Sequence, residues 1–258
     1  ICMQRAGFTS LLLALTLLFG ACEEVYPPQK SESIPSGEPI TTLPWFMEGF
    51  SLMDEHTEDL AVGRLVTDKG EEIGSAVLIA PTVILTAGHC MQDGDIAEFV
   101  TGCERYKISA YRLHPMFKVQ QHIFMDLAIA VLDRPCCVEP IRFLNTETNR
   151  YEQGEPLTVI GFGGGYKRHS HPEVFTYYGT LIEDPTAFKF LPLEGTVYFG
   201  DSGGAVLDGK GVLVGVVSSL GYNKGHIYEN SATRLDLASE WVKNTTLELS
   251  GVPLEVAP

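Results

Sequence analysis

Three short segments of this 258-residue sequence contain the residue types used in nucleophilic catalysis. His89 follows an apolar run and the small residues Ala87 and Gly88. A histidine at a strand end can act as a general base, because its ring can reach a neighbouring nucleophile. Asp126 opens the apolar run from Leu127 to Leu132, where a carboxylate at the edge of a buried strand needs a partner such as a histidine ring N–H.

The third segment is a serine set among glycines, Gly200-Asp201-Ser202-Gly203-Gly204. Glycines beside a serine let the backbone turn sharply, which exposes the hydroxyl and aims backbone N–H groups at one point. Such a point can bind a developing oxyanion. Taken singly, the segments also fit a strand-end histidine, a turn aspartate and a glycine-rich turn. Taken together, they predict nucleophilic catalysis by a serine, a histidine and an aspartate.

In the chain order His, Asp, Ser, the segments resemble the trypsin and chymotrypsin family of serine proteases. The resemblance spans roughly residues 60 to 245 and implies an all-β, chymotrypsin-like double antiparallel β-barrel with a C-terminal helix. Further matches to family positions are His114-Pro115, Gly161-Phe162-Gly163, Gly215-Val216-Val217-Ser218 and Trp241.

The resemblance also implies a role for each site residue. Ser202 would attack the scissile carbonyl, His89 would take and return the proton, and Asp126 would hold the imidazole in the required tautomer. The backbone N–H groups of Gly200 and Ser202 would bind the oxyanion. Ser218 and the residues after it would pair with the substrate backbone as a short antiparallel strand. The implied activity is that of a serine endopeptidase forming an acyl-enzyme on protein or peptide substrates.

The specificity pocket departs from that of trypsin. Thr196, six residues before the nucleophile, stands at the pocket base where trypsin has an aspartate, so cleavage after Lys or Arg loses its charge partner. Leu220 and Asn230 align with positions that are usually glycine, and these larger side chains would narrow the pocket. We expect a small or medium, uncharged residue before the cut.

Activation is a second departure from the family. Asp201 is the residue that would form an ion pair with a newly released amino terminus, yet no Ile-Val-Gly-Gly sequence precedes His89. Ile34 and Ile40 are candidate new termini, and activity without cleavage is the alternative.

Four cysteines remain once a signal segment is removed and Cys22 is set aside for lipidation. Cys90 with Cys103 closes a short loop and is the first expected disulfide, although other pairings stay open. Cys136 and Cys137 are neighbours, which rarely bond to each other, so one or both would be free. By the resemblance, the usual partner position of Cys90 is occupied by Gly74, a change typical of a bacterial branch.

Short apolar or β-branched runs separated by Gly, Pro, Asp and Asn predict an all-β body. A C-terminal helix is expected because Leu235, Leu237, Ala238, Trp241 and Val242 follow helical spacing. The predicted strands are 77–79, 83–85, 127–132, 157–160 and 213–217.

The N-terminal region predicts export. Residues 1–22 form a signal peptide whose end resembles a bacterial lipobox with Cys22 as the lipidated residue, and plain cleavage near Cys22 is the alternative. Residues 23–44 are rich in Pro, Ser, Glu and Gly and predict a flexible linker or pro-region. Residues 45–258 would form the protease domain. The expected location is secreted or in the outer envelope of a bacterium, with attachment to the membrane through lipidated Cys22.

The formal net charge of −15 repels phosphate backbones and argues against nucleic acid as a partner. We expect a monomer without a metal or other cofactor. The alternative function is that of a catalytically vestigial, protease-like binding or adhesion protein. An α/β-hydrolase is disfavoured because its triad runs in the order Ser, acid, His.

Overall fold

The computed structural model describes the main segments of the protease-like region. The described residues are 50–52, 60–92, 95–102, 104–117, 124–143, 153–165, 168–170, 175–180, 184–192, 197–223 and 226–254. The predicted signal peptide, Cys22, the linker, Cys103 and Thr196 lie outside the described residues. In the segments given above, the structure contains no helix of the length and apolarity needed to span a bilayer.

The first half of the chain folds into a closed antiparallel barrel. Its aliphatic and β-branched runs favour strands, and β4 is buried along its whole length. The barrel order is β2-β3-β4-β7-β6-β5. A short strand, β1 (Phe50–Leu52), precedes the barrel, whose strands are β2 (Val62–Thr67), β3 (Glu72–Ala80), β4 (Val83–Thr86), β5 (Ile96–Thr101), β6 (Glu104–Leu113) and β7 (Ala128–Leu132).

The second half of the chain forms an eight-stranded antiparallel sheet together with β1. Its own strands are β8 (Pro156–Gly161), β9 (Arg168–Ser170), β10 (Phe175–Thr180), β11 (Ala187–Pro192), β12 (Ala205–Leu207), β13 (Leu213–Asn223) and β14 (His226–Arg234). An additional pairing of β12 with β8 closes the ring β8-β10-β11-β14-β13-β12. The all-β prediction with two antiparallel barrels is confirmed.

Two α-helices and a short 3-10 segment, Gly163–Gly165, accompany the strands in the described residues. The one-turn α1 (Gly88–Met91) follows β4, and α2 (Leu235–Ser250) ends the domain as predicted. Asp236 lies in the first turn of α2, where a negative charge is favoured by the helix dipole. The helix ends at Gly251, which adopts a φ of 71° and donates its N–H to the carbonyl of Leu247 at 2.9 Å.

Helix α2 also contacts the first barrel through an aromatic pair. Trp241 meets the ring of His114 edge-on, with ring centroids 4.6 Å apart. The backbone N–H of His114 in turn donates to the carbonyl of Leu127 at 2.9 Å. Burial lowers the pKa of His114, which favours its neutral form at this contact. His114 and Trp241, which both match family positions in the sequence, therefore connect helix α2 to the segment that follows Asp126.

The predicted Cys90–Cys103 disulfide is wrong, because Cys90 is a free and buried cysteine. Its thiol faces β3 and the Ser202 segment, with Sγ 3.8 Å from the carbonyl oxygen of Ser202. A Cβ placed on Gly74 would lie 2.9 Å from that Sγ, so Gly74 occupies the position a bonded partner would take. Cys136 and Cys137 are also free, consistent with the expectation for neighbouring cysteines.

We predict that Gly74→Cys forms a disulfide with Cys90. The Cβ of residue 74 would lie 3.8 Å from the Cβ of Cys90, which matches the mean separation of about 3.8 Å in disulfides. A cross-link closing a loop of this size stabilises a protein by roughly 3 kcal/mol. Free-thiol titration and thermal unfolding with and without reductant measure both effects.

Gly74→Ala is the matched control, since it adds the same Cβ, 3.1 Å from the Ser202 carbonyl oxygen, without a thiol. A Gly74→Cys protein that keeps both thiols free under oxidising conditions would contradict the geometry of this contact.

Candidate active site

His89 and Asp126 are brought together by two paired strands of the first barrel. Strands β4 and β7 pair with Thr86 opposite Ala128, so the segments that hold His89 and Asp126 meet at one end of the barrel. Asp126 Oδ1 accepts a hydrogen bond from the backbone N–H of His89 at 2.8 Å. Asp126 Oδ2 lies 2.7 Å from His89 Nδ1. This double contact fixes both the backbone and the ring of His89.

Asp126 is 4% exposed and is held by contacts that the sequence did not indicate. The preceding Met125 adopts a φ of 44°, uncommon for a residue other than glycine, and its N–H donates to Thr186 Oγ1 at 2.9 Å. Thr233 Oγ1 donates to the Asp126 carbonyl at 3.2 Å. Ser218 Oγ donates to Asp126 Oδ2 at 2.6 Å. Ser218 was predicted only as a substrate-pairing residue, and its hydroxyl proves to be a direct partner of the carboxylate.

Ser202 is presented by a tight turn fixed between the two barrels. Its carbonyl accepts the backbone N–H of Ser75 in β3 at 2.7 Å, and Gly203 N–H donates to the Val217 carbonyl at 2.8 Å. Gly203 has a φ of 85°, and a Cβ there would lie 2.0 Å from the Ser75 carbonyl oxygen. Only glycine fits this position, which explains the glycine that follows the serine.

The turn also orients the two N–H groups predicted to bind an oxyanion. The Phe199 carbonyl accepts Gly164 N–H at 3.0 Å, and the Asp201 carbonyl accepts Gly204 N–H at 2.8 Å. In a planar trans peptide the C=O and the N–H point in opposite directions. The Gly200 N–H therefore points away from the anchored Phe199 carbonyl, and the Ser202 N–H points away from the anchored Asp201 carbonyl. Neither N–H donates a hydrogen bond to another residue within the described segments. Both remain available for a ligand oxygen.

A cysteine thiol lies beside the ring of His89. Within the described residues, no hydrogen bond joins Ser202 Oγ to His89 Nε2, and Nε2 instead lies 3.7 Å from Cys90 Sγ. Hydrogen bonds between a nucleophile and its base are often long before substrate binds. From the sequence, Cys90 was considered only as a disulfide candidate. The position where the family has its disulfide partner is occupied by Gly74, and this substitution was the sequence signal for a free thiol next to the histidine.

The surroundings of His89 change its basicity. Burial lowers the pKa of His89, but the hydrogen bond to Asp126 and then the contact with Cys90 raise it more, to about 10. The side chain remains 33% exposed, so one edge of the ring can be reached from solvent. A ring with this pKa is protonated at neutral pH, so it accepts the proton of a hydroxyl only after losing its own proton at alkaline pH.

Asp201 is buried and accepts hydrogen bonds from the main chain. Gly163 N–H donates to its Oδ1 at 2.6 Å, and Tyr198 N–H donates to its Oδ2 at 2.7 Å. These bonds hold the loop that carries Gly200. The predicted ion pair with a new amino terminus stays a prediction, because the candidate termini lie outside the described residues.

Two of the three predicted pocket residues are neighbours across a strand pair. Leu220 in β13 lies opposite Asn230 in β14, and Asn230 is fully buried. Phe199, which sequence reasoning missed, is 78% exposed directly before Gly200. In the described part of the chain, no cluster of three or more His, Cys, Asp or Glu side chains is placed to hold a metal ion.

Comparison with known proteins extends these observations. A family model described as a trypsin-like peptidase domain matches residues 74–216, which include His89, Asp126 and Ser202. A search of curated proteins found no match to the sequence.

Several solved structures share the fold at low sequence identity. Human heparin binding protein superposes with a TM-score of 0.65 at 18% identity, covering 81% of this chain and 99% of that one. Neuropsin, a serine protease expressed in the limbic system of mouse brain, gives 0.62 at 17% identity, covering 74% and 96%. Kallikrein-related peptidase 10 gives 0.63 at 16%, covering 76% and 100%. The predicted chymotrypsin-like fold is confirmed.

We predict that the reaction of Ser202 with a fluorophosphonate accelerates as the pH rises. His89 accepts a proton only when neutral, so the midpoint should lie on the alkaline side of the ordinary histidine value of about 6.5. Cys90→Ala removes the sulfur beside Nε2 and should move the midpoint to lower pH. Labelling rates measured across pH give both midpoints.

Cys137→Ala is the matched control, because Cys137 is a free, exposed cysteine whose thiol lies by Tyr106. It should leave the midpoint unchanged. An identical midpoint in Cys90→Ala and the unaltered protein would show that the thiol does not influence His89.

Proposed function

Because this chain belongs to the trypsin-like peptidase family, we propose that it is a serine endopeptidase with Ser202, His89 and Asp126 as its catalytic triad. The observation that carries the proposal is the buried carboxylate of Asp126, bonded to His89 Nδ1 at 2.7 Å and to Ser218 Oγ at 2.6 Å. A carboxylate in this position favours the ring tautomer that leaves Nε2 free to accept a proton.

The proposed reaction begins when Ser202 Oγ attacks the carbonyl carbon of the scissile peptide bond. His89 Nε2 takes the hydroxyl proton, and the carbonyl oxygen becomes an oxyanion within reach of the Gly200 and Ser202 N–H groups. The C–N bond then breaks as His89 gives its proton to the leaving amine. Water, activated by the same nitrogen, hydrolyses the resulting acyl-enzyme.

Substrate would bind as an extra strand along β13, beginning at Ser218. The residue before the cut would enter a pocket formed with Thr196, Leu220 and Asn230. None of these side chains carries a charge, so the proposed preference is for a small or medium, uncharged residue rather than Lys or Arg. Asp201 would stabilise the active form through an ion pair with a new amino terminus.

The alternative is a vestigial, protease-like binding protein, and one structural neighbour is a heparin binding protein. The formal net charge of −15 opposes attraction to a polyanion such as heparin. The chain also keeps all three triad residues and both oxyanion-type N–H groups. These features favour catalysis over binding alone.

The proposal includes export and anchoring of a monomeric enzyme. The apolar run from Leu11 to Phe19 before Cys22 supports a secretory signal in a bacterium, with Cys22 as the lipidated residue. Mass spectrometry of the mature protein would show a lipidated Cys22, whereas an unmodified terminus would contradict anchoring.

We predict that a fluorophosphonate labels the full-length protein at Ser202 and that Ser202→Ala and His89→Ala abolish the label. Asp126→Asn should lower peptide hydrolysis on the order of 10⁴-fold, because it favours the wrong tautomer of His89. In-gel fluorescence and the hydrolysis rate of a peptide mixture measure these effects.

Cys137→Ala serves as the control that keeps both labelling and hydrolysis. An unlabelled protein that becomes labelled after limited proteolysis would show a zymogen. A protein that stays unlabelled after proteolysis would support the binding alternative.

We also predict that a peptide library is not cut selectively after Lys or Arg. No carboxylate is proposed at the base of the pocket, and burying an unpaired cation there would be costly. Mass-spectrometric mapping of the cleavage sites tests the prediction. Dominant cleavage after basic residues would overturn the assignment of Thr196 to the pocket base.

A further inference from the structure

Asn230 has an unusual environment for a buried polar side chain. It is fully buried in β14, yet neither its Oδ1 nor its Nδ2 has a hydrogen-bond partner among the described residues. A buried polar group without a partner destabilises the folded state, and native proteins leave few of them. A ligand group with both a hydrogen-bond donor and an acceptor would pair with Oδ1 and Nδ2 at the same time.

The strand register shows which side of β14 carries this amide. Asn230 lies opposite Phe190 in β11 and between strands β11 and β13. The next residue, Ser231, has its hydroxyl 2.7 Å from Ser219 Oγ. Because side chains alternate along a strand, Asn230 and Ser231 lie on opposite faces of the sheet.

Asn230 shares its face with Ala232, two residues further along β14. A Cβ built on Gly215 would lie 3.2 Å from the Ala232 Cβ and 2.7 Å from the ring of Phe188, and Phe188 is itself fully buried. The face shared by Asn230 and Ala232 is therefore the apolar inner side of the second barrel. An amide on such a face has little access to water.

The strand pairing connects Asn230 to the turn that contains Ser202. Gly203 N–H bonds the Val217 carbonyl, and Val217 lies opposite Ala232 in the sheet. Neighbouring strands lie about 4.8 Å apart and alternate residues about 7 Å apart, which places the Asn230 backbone on the order of 10 Å from Gly203. A substrate side chain of medium length and the side chain of Asn230 together span this distance.

We propose that the Asn230 amide is the recognition group of the specificity pocket and that it selects a glutamine before the scissile bond. This inference rests on the proposed function, whose pocket it makes specific. A substrate carboxamide can donate to Oδ1 and accept from Nδ2 at once. A substrate carboxylate can only accept a hydrogen bond from Nδ2, and an ammonium group can only donate one to Oδ1. A thioether leaves both atoms effectively without a partner. Methionine has nearly the shape of glutamine without its amide and is the sharpest comparison.

The experiment measures binding of product peptides to full-length Ser202→Ala by calorimetry. The peptides are acetyl-Ala-Ala-Ala-Gln and acetyl-Ala-Ala-Ala-Met, each with a free carboxylate. The glutamine peptide should bind at least about tenfold more tightly, since the methionine peptide leaves a buried amide unpaired. In Ser202→Ala with Asn230→Leu the preference should vanish or reverse.

Ser231→Ala, on the opposite face of β14, is the matched control and should keep the glutamine preference. Equal binding of the two peptides by Ser202→Ala would overturn the inference, and this readout does not require that Asn230→Leu folds. Retention of the preference in a folded Asn230→Leu protein would also overturn it.

Hydrolysis of the matching amide substrates by the unaltered protein separates this inference from the proposed function. Fluorophosphonate labelling with equal kcat/KM for glutamine and methionine would reject the role of Asn230 and leave the endopeptidase intact. Glutamine-selective binding without any labelling, before or after limited proteolysis, would support the recognition group and reject catalysis.

Discussion

A buried carboxylate at the junction of the two barrels constrains the whole site. Asp126 is 4% exposed, so an unpaired charge there would be strongly destabilising. Its partners come from both halves of the chain: the backbone and ring of His89 from the first barrel, and the hydroxyl of Ser218 from the second. Thr233 adds a bond to the Asp126 carbonyl. The barrels must therefore dock in one arrangement before this charge is satisfied, and that arrangement also sets the position of His89.

Ser75 imposes a second constraint, on the turn that contains Ser202. Its N–H donates to the Ser202 carbonyl, its Oγ donates to the Gly200 carbonyl at 2.7 Å, and Phe162 N–H donates to the same Oγ at 3.0 Å. Thr86 Oγ1 donates to the Ser75 carbonyl at 2.7 Å. One short side chain of β3 thus holds the turn against the first barrel. Gly203 is needed in that turn because the Ser75 carbonyl oxygen lies so close to it that a Cβ would be 2.0 Å away.

The sequence was sufficient for the features that rest on local patterns. Short apolar runs between turn residues indicated the strands, and three motifs in a fixed order indicated His89, Asp126 and Ser202. The contacts across the barrels could not be predicted, because the hydroxyls of Ser75 and Ser218 have no local signature that names their partners. Cys90 was assigned a disulfide from loop length alone, whereas the direction of its thiol depends on how α1 packs against β3. The unpaired amide of Asn230 likewise becomes visible only when the strand register is known.

The bond from Thr233 to the Asp126 carbonyl has a consequence for biosynthesis. Thr233 lies near the end of β14, and Trp241, which packs on His114, follows it in the chain. A nascent chain that has emerged only as far as Ser202 contains His89, Asp126 and Ser202 but lacks Ser218, Thr233 and helix α2. The support of Asp126 is therefore completed only after Ser218 and Thr233 have left the ribosome. The order of the elements along the chain therefore delays assembly of the contacts around Asp126 until β14 has been synthesised.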